Sequence, residues 1–131
     1  MRAEIIAIGD EIITGQRLDT NTQWLAERLT ELGVDVVFHS TVGDSLADNV
    51  AVFKTAIDRV DVVVATGGLG PTADDLTREA IAQAVGVGLE RDEASLQYIR
   101  ELFERRGRQM PDRNAVQADF PVGATPIPNE H

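Results

Sequence analysis

"DVVVATGGLGPTADDLTREA", residues 61–80, contains a strand, a turn and the start of a helix in twenty consecutive positions. Its first half, 61–68, is a nearly continuous apolar run rich in valine. That is the pattern of a strand buried on both faces of a parallel sheet. Gly67, Gly68, Gly70 and Pro71 then break the chain direction, and 77–85 reads as a short helix with Thr77 as its N-cap and Gly86 as its stop. A plain strand-to-helix connection needs about one glycine. Three of them, with Thr72, Asp74, Asp75 and Thr77 around the same turn, fit a phosphate or diphosphate site better. Glycines let main-chain N–H groups converge on one anion, and the next helix start adds a partial positive charge. The turn is neither a P-loop nor a dinucleotide fingerprint, since no Gly-Lys-Ser/Thr closes it and no GxGxxG opens the first helix. Asp74 and Asp75 would repel phosphate unless a hard divalent cation such as Mg²⁺ bridges them to it. Complementing the helix dipole accounts for one of the pair, worth about 0.3–1 kcal/mol.

Outward from this stretch the same alternation repeats. Residues 3–8 read as a strand ending at Gly9, and 21–32 as a helix with Trp24, Leu25, Leu29 and Leu32 on its core face and Gly33 as its stop. Residues 34–42 read as a second strand. Residues 46–60 read as a helix capped by Ser45 or Asp44, with Leu46, Val50, Phe53 and Ile57 on one face. Beyond Gly86, a short edge strand falls within 85–92. An amphipathic helix follows over 92–107, burying Leu96, Ile99, Leu102 and Phe103. A further helical turn is opened by Pro111, and a short extended piece falls at Thr125–Ile127. This order predicts right-handed βαβ units, a mainly parallel sheet and helices on both sides. The 131 residues suit one compact domain over 1–131. The last stretch, rich in proline, reads as the opening of a further strand, so the domain is expected to be truncated at its C-terminal end.

With 22 acidic against 12 basic residues, a formal charge of -10 argues against a nucleic-acid or anionic-membrane surface, which needs a basic patch. It leaves room for a small phosphorylated ligand held by backbone groups. The absence of cysteine fits a cytoplasmic protein. No apolar run approaches the roughly 20 residues of a membrane helix. In an open α/β sheet, ligands lie at the carboxyl ends of the strands. Two more acid-rich loops fall there. Residues 9–22 offer Asp10, Glu11, Thr14, Gly15, Asp19 and Asn21, and 42–45 offer Asp44. Each of these residues alone is more often a cap or turn residue, but three such loops at one sheet edge make a site.

In this order, "GDEIITGQRLDTN", "VGD" and "TGGLGPTADDLTREA" resemble the molybdopterin-binding domain of the MoaB, MogA and MoeA proteins. The full motifs most resemble the N-terminal domain of the CinA, or competence/damage-inducible, proteins, and the likeness covers essentially the whole chain. The resemblance implies a three-layer α/β/α sandwich around a mainly parallel sheet. It implies that Gly67, Gly68 and Gly70, with Thr72 and Thr77, hold a ligand phosphate, and that Asp10, Gly15, Asp19 and Asn21 belong to the first ligand loop. Asp75 and Asp44 match the relatives' important aspartates and are the candidate catalytic pair, with Asp75 and Asp74 as candidate metal ligands. Relatives that adenylylate molybdopterin have Thr and Arg where this chain has Leu69 and Asp74, which argues for the CinA branch. That branch implies a metal-dependent pyrophosphohydrolase acting on ADP-ribose-like nucleotides. The rival readings are a pterin- or nucleotide-binding module without turnover, linked to molybdenum cofactor biosynthesis, and an assembly domain whose site is shared between subunits. A homo-oligomer, dimeric rather than trimeric, is expected.

Overall fold

The computed structural model describes residues 1–129. Strand β1 (Arg2–Ile8) lies at the centre of a parallel three-stranded sheet, with β2 (Asp35–Val42) on one side and β3 (Val62–Thr66) on the other. A one-turn helix, α1 (Asp10–Ile13), follows β1 directly. The first two crossovers are helical: α2 (Thr20–Glu31) leads into β2, and α3 (Leu46–Arg59) joins β2 to β3. Helix α4 (Thr77–Val85) follows the glycine turn. A second, smaller unit consists of β4 (Leu89–Arg91), α5 (Glu93–Arg105), a 3-10 helix (Asp112–Ala118) and β5 (Asp119–Pro121), with β4 and β5 antiparallel.

Side chains of β1 alternate between the two faces of the sheet. Ile6 and Ile8 point to one face and meet Val42, Phe53, Ala56 and Ala80, so α3 and α4 share that layer. Ala3, Ile5 and Ala7 point to the opposite face, which α2 covers, and Ile5 is fully buried. The result is an α/β/α arrangement with a parallel sheet, as the strand–helix order requires. Among the described residues no helix is long and apolar enough to cross a membrane.

Helix signals in the sequence correspond to physical ends. Gly33 and Gly86 close α2 and α4 at φ 79° and 77°, where glycine alone avoids the Cβ penalty. The Ser45 hydroxyl, rather than Asp44, accepts the Asp48 N–H to cap α3. Glu4 is fully buried in β1 and takes two hydrogen bonds from Arg59, at 2.7 and 2.8 Å, and one from Ser40. These bonds, led by Arg59, outweigh the effect of burial and hold the carboxyl below its ordinary pKa.

Four expectations are corrected. Trp24 is 59% exposed and Leu32 78% exposed. Helix α2 lies mainly over β1 and β2, β3 is an edge strand, and Trp24 borders an open cleft beside Val64, Ala65 and Thr66. On α5 only Leu96 is buried, because the 3-10 helix covers its apolar stripe in part. No strand forms at Thr125–Ile127; the extended piece that pairs with β4 is instead Asp119–Pro121. Thr77 is not the N-cap of α4 but its first helical residue. Its hydroxyl turns back to donate to the Gly67 carbonyl at 2.8 Å.

Candidate functional site

The three candidate loops do converge at the carboxyl ends of β1, β2 and β3. After β1, Gly9 leads into α1, a helical turn inside a stretch that the sequence pattern presents as loop. Gly15, at φ 76°, follows its end. Asp10 and Asp44 clasp the first loop to the second: the Asp44 N–H donates to Asp10 Oδ1 at 2.8 Å, and the Asp10 N–H donates to Asp44 Oδ2 at 3.3 Å. The loop around Asp44 is held from beneath by buried Asn49, whose amide donates to the carbonyls of Gly43 and Ser45.

Asp44 has a pKa raised above the usual carboxylate range. Burial is the largest cause, and repulsion from Asp10, Glu11 and Asp74 adds to it, against the bond from Asp10. Asp10, Glu11, Asp44 and Asp74 therefore form one acidic rim drawn from three loops.

The glycine turn is built tightly on itself. Gly67 and Gly68 have φ of 99° and 68°, as their positions in the motif imply. Their close neighbours are protein atoms. A Cβ at Gly67 would overlap the Ile8 carbonyl, one at Gly68 the Thr77 hydroxyl, and one at Gly70 would lie 2.5 Å from an Asp75 carboxylate oxygen. Thr77 uses both its donors on the turn, its N–H going to Gly68 O and its hydroxyl to Gly67 O. It is 2% exposed, so it shapes the turn and offers a ligand nothing directly. Arg78, also buried, donates to the carbonyls of Leu69 at 2.6 Å and Gly70 at 2.7 Å.

Asp75 fills the concave side of its own loop. Its Oδ2 accepts the Thr72 N–H at 2.9 Å and the Thr72 hydroxyl at 2.7 Å, and its carboxylate also takes the Gly70 N–H. Burial pushes its pKa up, but the bonds from Thr72 and Gly70 and the nearby Arg78 charge outweigh that, and the net shift is downward. The donors of Gly70 and Thr72, expected on a phosphate, are thus engaged by Asp75. Gly67 borders a cavity. Asp75 spends Oδ2 on the donors of its own loop, while Asp74 stands on the acidic rim. Among the described residues no group of three or more His, Cys, Asp or Glu side chains is placed to hold a metal.

Between the first loop and the glycine turn lies a cleft of about 120 Å³. Ala7, Ile8, Ile12 and Leu18 give it apolar walls. Thr66, Gly67, Asn21 and Arg17 supply its polar side, with Glu11 and Asp19 also lining it. The Asn21 amide reaches Thr66 Oγ1 at 3.5 Å. The Asp19 carboxylate caps α2, accepting the N–H and the hydroxyl of Thr22. The sequence motifs point to Asp19 and Asn21 here but not to Arg17 or Thr66. Arg17 lies inside the same motif, and its position at this sheet edge is the signal that could have found it.

The family model described as "Probable molybdopterin binding domain" matches residues 4–130, and the chain belongs to this family, in its CinA-like branch. The CinA-like protein of Frankia casuarinae is 46% identical over 134 residues, covering 98% of this chain and 31% of that protein. The CinA-like protein of Anaeromyxobacter sp. (strain Fw109-5) is 48% identical, covering 98% and 32%. The chain thus spans about a third of the length of these curated relatives. Among solved structures, CinA of unknown function from Thermoplasma acidophilum aligns with a TM-score of 0.91 at 32% identity, over 99% of this chain and 76% of that one. The molybdopterin biosynthesis enzyme MoaB from Thermus thermophilus aligns at 0.60 and 27% identity, over 63% and 53%.

Proposed function

We propose that this domain is a binding module for a phosphorylated small molecule, a pterin or a nucleotide, taken up in the cleft beside Gly67. The observation that supports the reading most is the cleft's division into two chemistries. Ala7, Ile8, Ile12 and Leu18 suit a flat heterocycle, while Arg17, Asn21, Thr66 and the Gly67 backbone suit a phosphate. The MoaB neighbour is named as a molybdopterin biosynthesis enzyme, which adds a pterin phosphate to the ligand class. The experiment is a titration of the chain with AMP, ADP-ribose and a pterin monophosphate, followed by calorimetry and thermal melting. A ligand at 100 times its Kd stabilises by about 2.7 kcal/mol. A flat response to all three refutes the module.

A second reading, hydrolysis of the diphosphate link in an ADP-ribose-like nucleotide, is favoured by Asp44. A carboxyl with a raised pKa at the site's rim suits a general base. Water would attack phosphorus, Asp44 would take its proton, and the bridging P–O bond would break to leave AMP and ribose 5-phosphate. The resemblance also brings a divalent cation; this reading assigns it no ligands. The assay is AMP release with and without Mg²⁺, and no release above the blank in either arm removes the reading.

The module is read as cytoplasmic and as a two-fold homodimer. The free edge of β3 and the exposed Trp24 beside it support self-association. Light scattering that returns a monomer at high micromolar concentration removes that part.

A further inference from the structure

Two consecutive residues of α4, Thr77 and Arg78, hold four consecutive carbonyls of the glycine turn. The Thr77 hydroxyl donates to Gly67 O at 2.8 Å, and its N–H donates to Gly68 O at 3.2 Å. Arg78 Nη1 donates to Leu69 O at 2.6 Å and Nη2 to Gly70 O at 2.7 Å. None of these peptides is cis, so each N–H points opposite to its carbonyl. The N–H groups of Gly68, Leu69 and Gly70 therefore point away from the donors on α4. Asp75 takes the one from Gly70. Those of Gly68 and Leu69 make no hydrogen bond among the described residues. Arg78 itself is buried and makes no ion pair among the described residues. Asp75 and Asp119 act on it through charge, without a bond. A buried guanidinium without an ion pair costs free energy that an apolar side chain of similar volume would not. What it supplies here is a two-pronged hold on two adjacent peptides.

We infer that Arg78 is a positioning residue that preorganises the glycine turn for an anion by locking the Leu69–Gly70 and Gly70–Pro71 peptides from beneath. The anion part rests on the phosphate reading above. The Leu69–Gly70 peptide is gripped on both sides, its carbonyl by Arg78 and its N–H by Asp75. The peptide before Leu69 is held by Thr77. Leu69 therefore has both flanking peptides fixed, and its free N–H keeps one direction. Without Arg78, Gly70 has no Cβ to restrict it and the far half of the turn can rotate. An ordered turn loses less entropy when a ligand binds. The planar fork of a guanidinium suits two adjacent carbonyls, whereas an ammonium is a point charge.

The test compares wild type, Arg78→Met and Arg78→Lys of the full chain in two measurements. Amide hydrogen exchange by NMR, without ligand, reads the Gly70 and Thr72 N–H groups, both held by Asp75, against those of Ile5 and Ile6 in β1. Calorimetric titration with AMP reads binding. Arg78→Met should speed exchange at Gly70 and Thr72 by about tenfold more than at Ile5 and Ile6. It should also weaken AMP by about tenfold. Guanidinium ion at millimolar concentration should restore part of that affinity to Arg78→Met and leave wild type unchanged. Arg78→Lys should fall between the two, since it restores the charge without the fork. Should Arg78→Met not fold, Arg78→Lys carries the same comparison. Exchange that rises equally at all four amides, or at none, overturns the inference, as does an AMP affinity unchanged in both variants. A wild type that binds no AMP removes the phosphate reading, and the exchange comparison then decides the hold of Arg78 on the turn by itself.

Discussion

Replacing Gly68 with alanine tests whether the glycine turn is built for its own packing. Gly68 has φ 68°, and an L-residue held in the left-handed region costs roughly 1–2 kcal/mol. The new Cβ would also overlap the Thr77 hydroxyl and lie 3.3 Å from Thr77 Cβ. That hydroxyl is buried and bonded to Gly67 O at 2.8 Å. Displacing it breaks the bond and strands a buried donor, at about 1–3 kcal/mol. The sum is about 2–5 kcal/mol. For a domain of this size, each kcal/mol is worth about 3–5 °C, so Gly68→Ala should melt at least about 6 °C below wild type. Circular dichroism melts and urea titrations measure it. A double-mutant cycle with Thr77→Ala isolates the contact. Removing the hydroxyl clears the space, so Gly68→Ala/Thr77→Ala should cost about 1–3 kcal/mol less than the sum of the single variants. A Gly68→Ala protein that melts within about 1 °C of wild type, or a strictly additive cycle, would refute the reasoning.

Three further outcomes are expected. Asp75 is more acidic folded than unfolded, so it adds stability above the unfolded carboxyl pKa of about 3.9 and loses it as pH falls through the folded value; Asp75→Asn should destabilise the chain at pH 7 and converge with wild type at acid pH in melts. Asp44 is shifted the other way, so its ionisation costs stability as pH rises through the unfolded pKa towards the folded one. Asp44→Asn should therefore melt higher than wild type at pH 7 and lose that advantage at low pH. Arg59→Met leaves the fully buried Glu4 carboxylate without its ion pair and should lower the urea midpoint, with Glu4→Leu/Arg59→Met less damaging than Arg59→Met alone.

Much of the architecture was legible before any coordinates. The β-branched runs at 34–42 and 61–68, spaced by helical periodicity, specify parallel strands with helical crossovers, because backbone hydrogen bonding and side-chain alternation are local properties. Gly33, Gly67, Gly68 and Gly86 were legible for the same reason: positive φ is a demand made on a single residue. The one-turn helix at Asp10–Ile13 was not, because four residues carry too little periodicity to register.

What fills the space around those residues was decided only in three dimensions. Sequence pattern places Trp24 on a helical face with Leu25 and Leu29, but whether another element covers that face depends on where α2 lies relative to β3, and it leaves Trp24 exposed. The glycines pointed to a close approach, and the tertiary structure names the partners as the Ile8 carbonyl and the Thr77 hydroxyl. The acidic residues pointed to a common edge, and folding sorted them by partner. Asp75 went to its own loop and Asp19 to the end of α2, while Asp10 and Asp44, 34 residues apart, were clasped together. Short-range backbone preferences are carried in the order of residues. Burial, charge repulsion and the choice of hydrogen-bond partner are properties of the space between segments distant in sequence, and only the assembled fold sets that space.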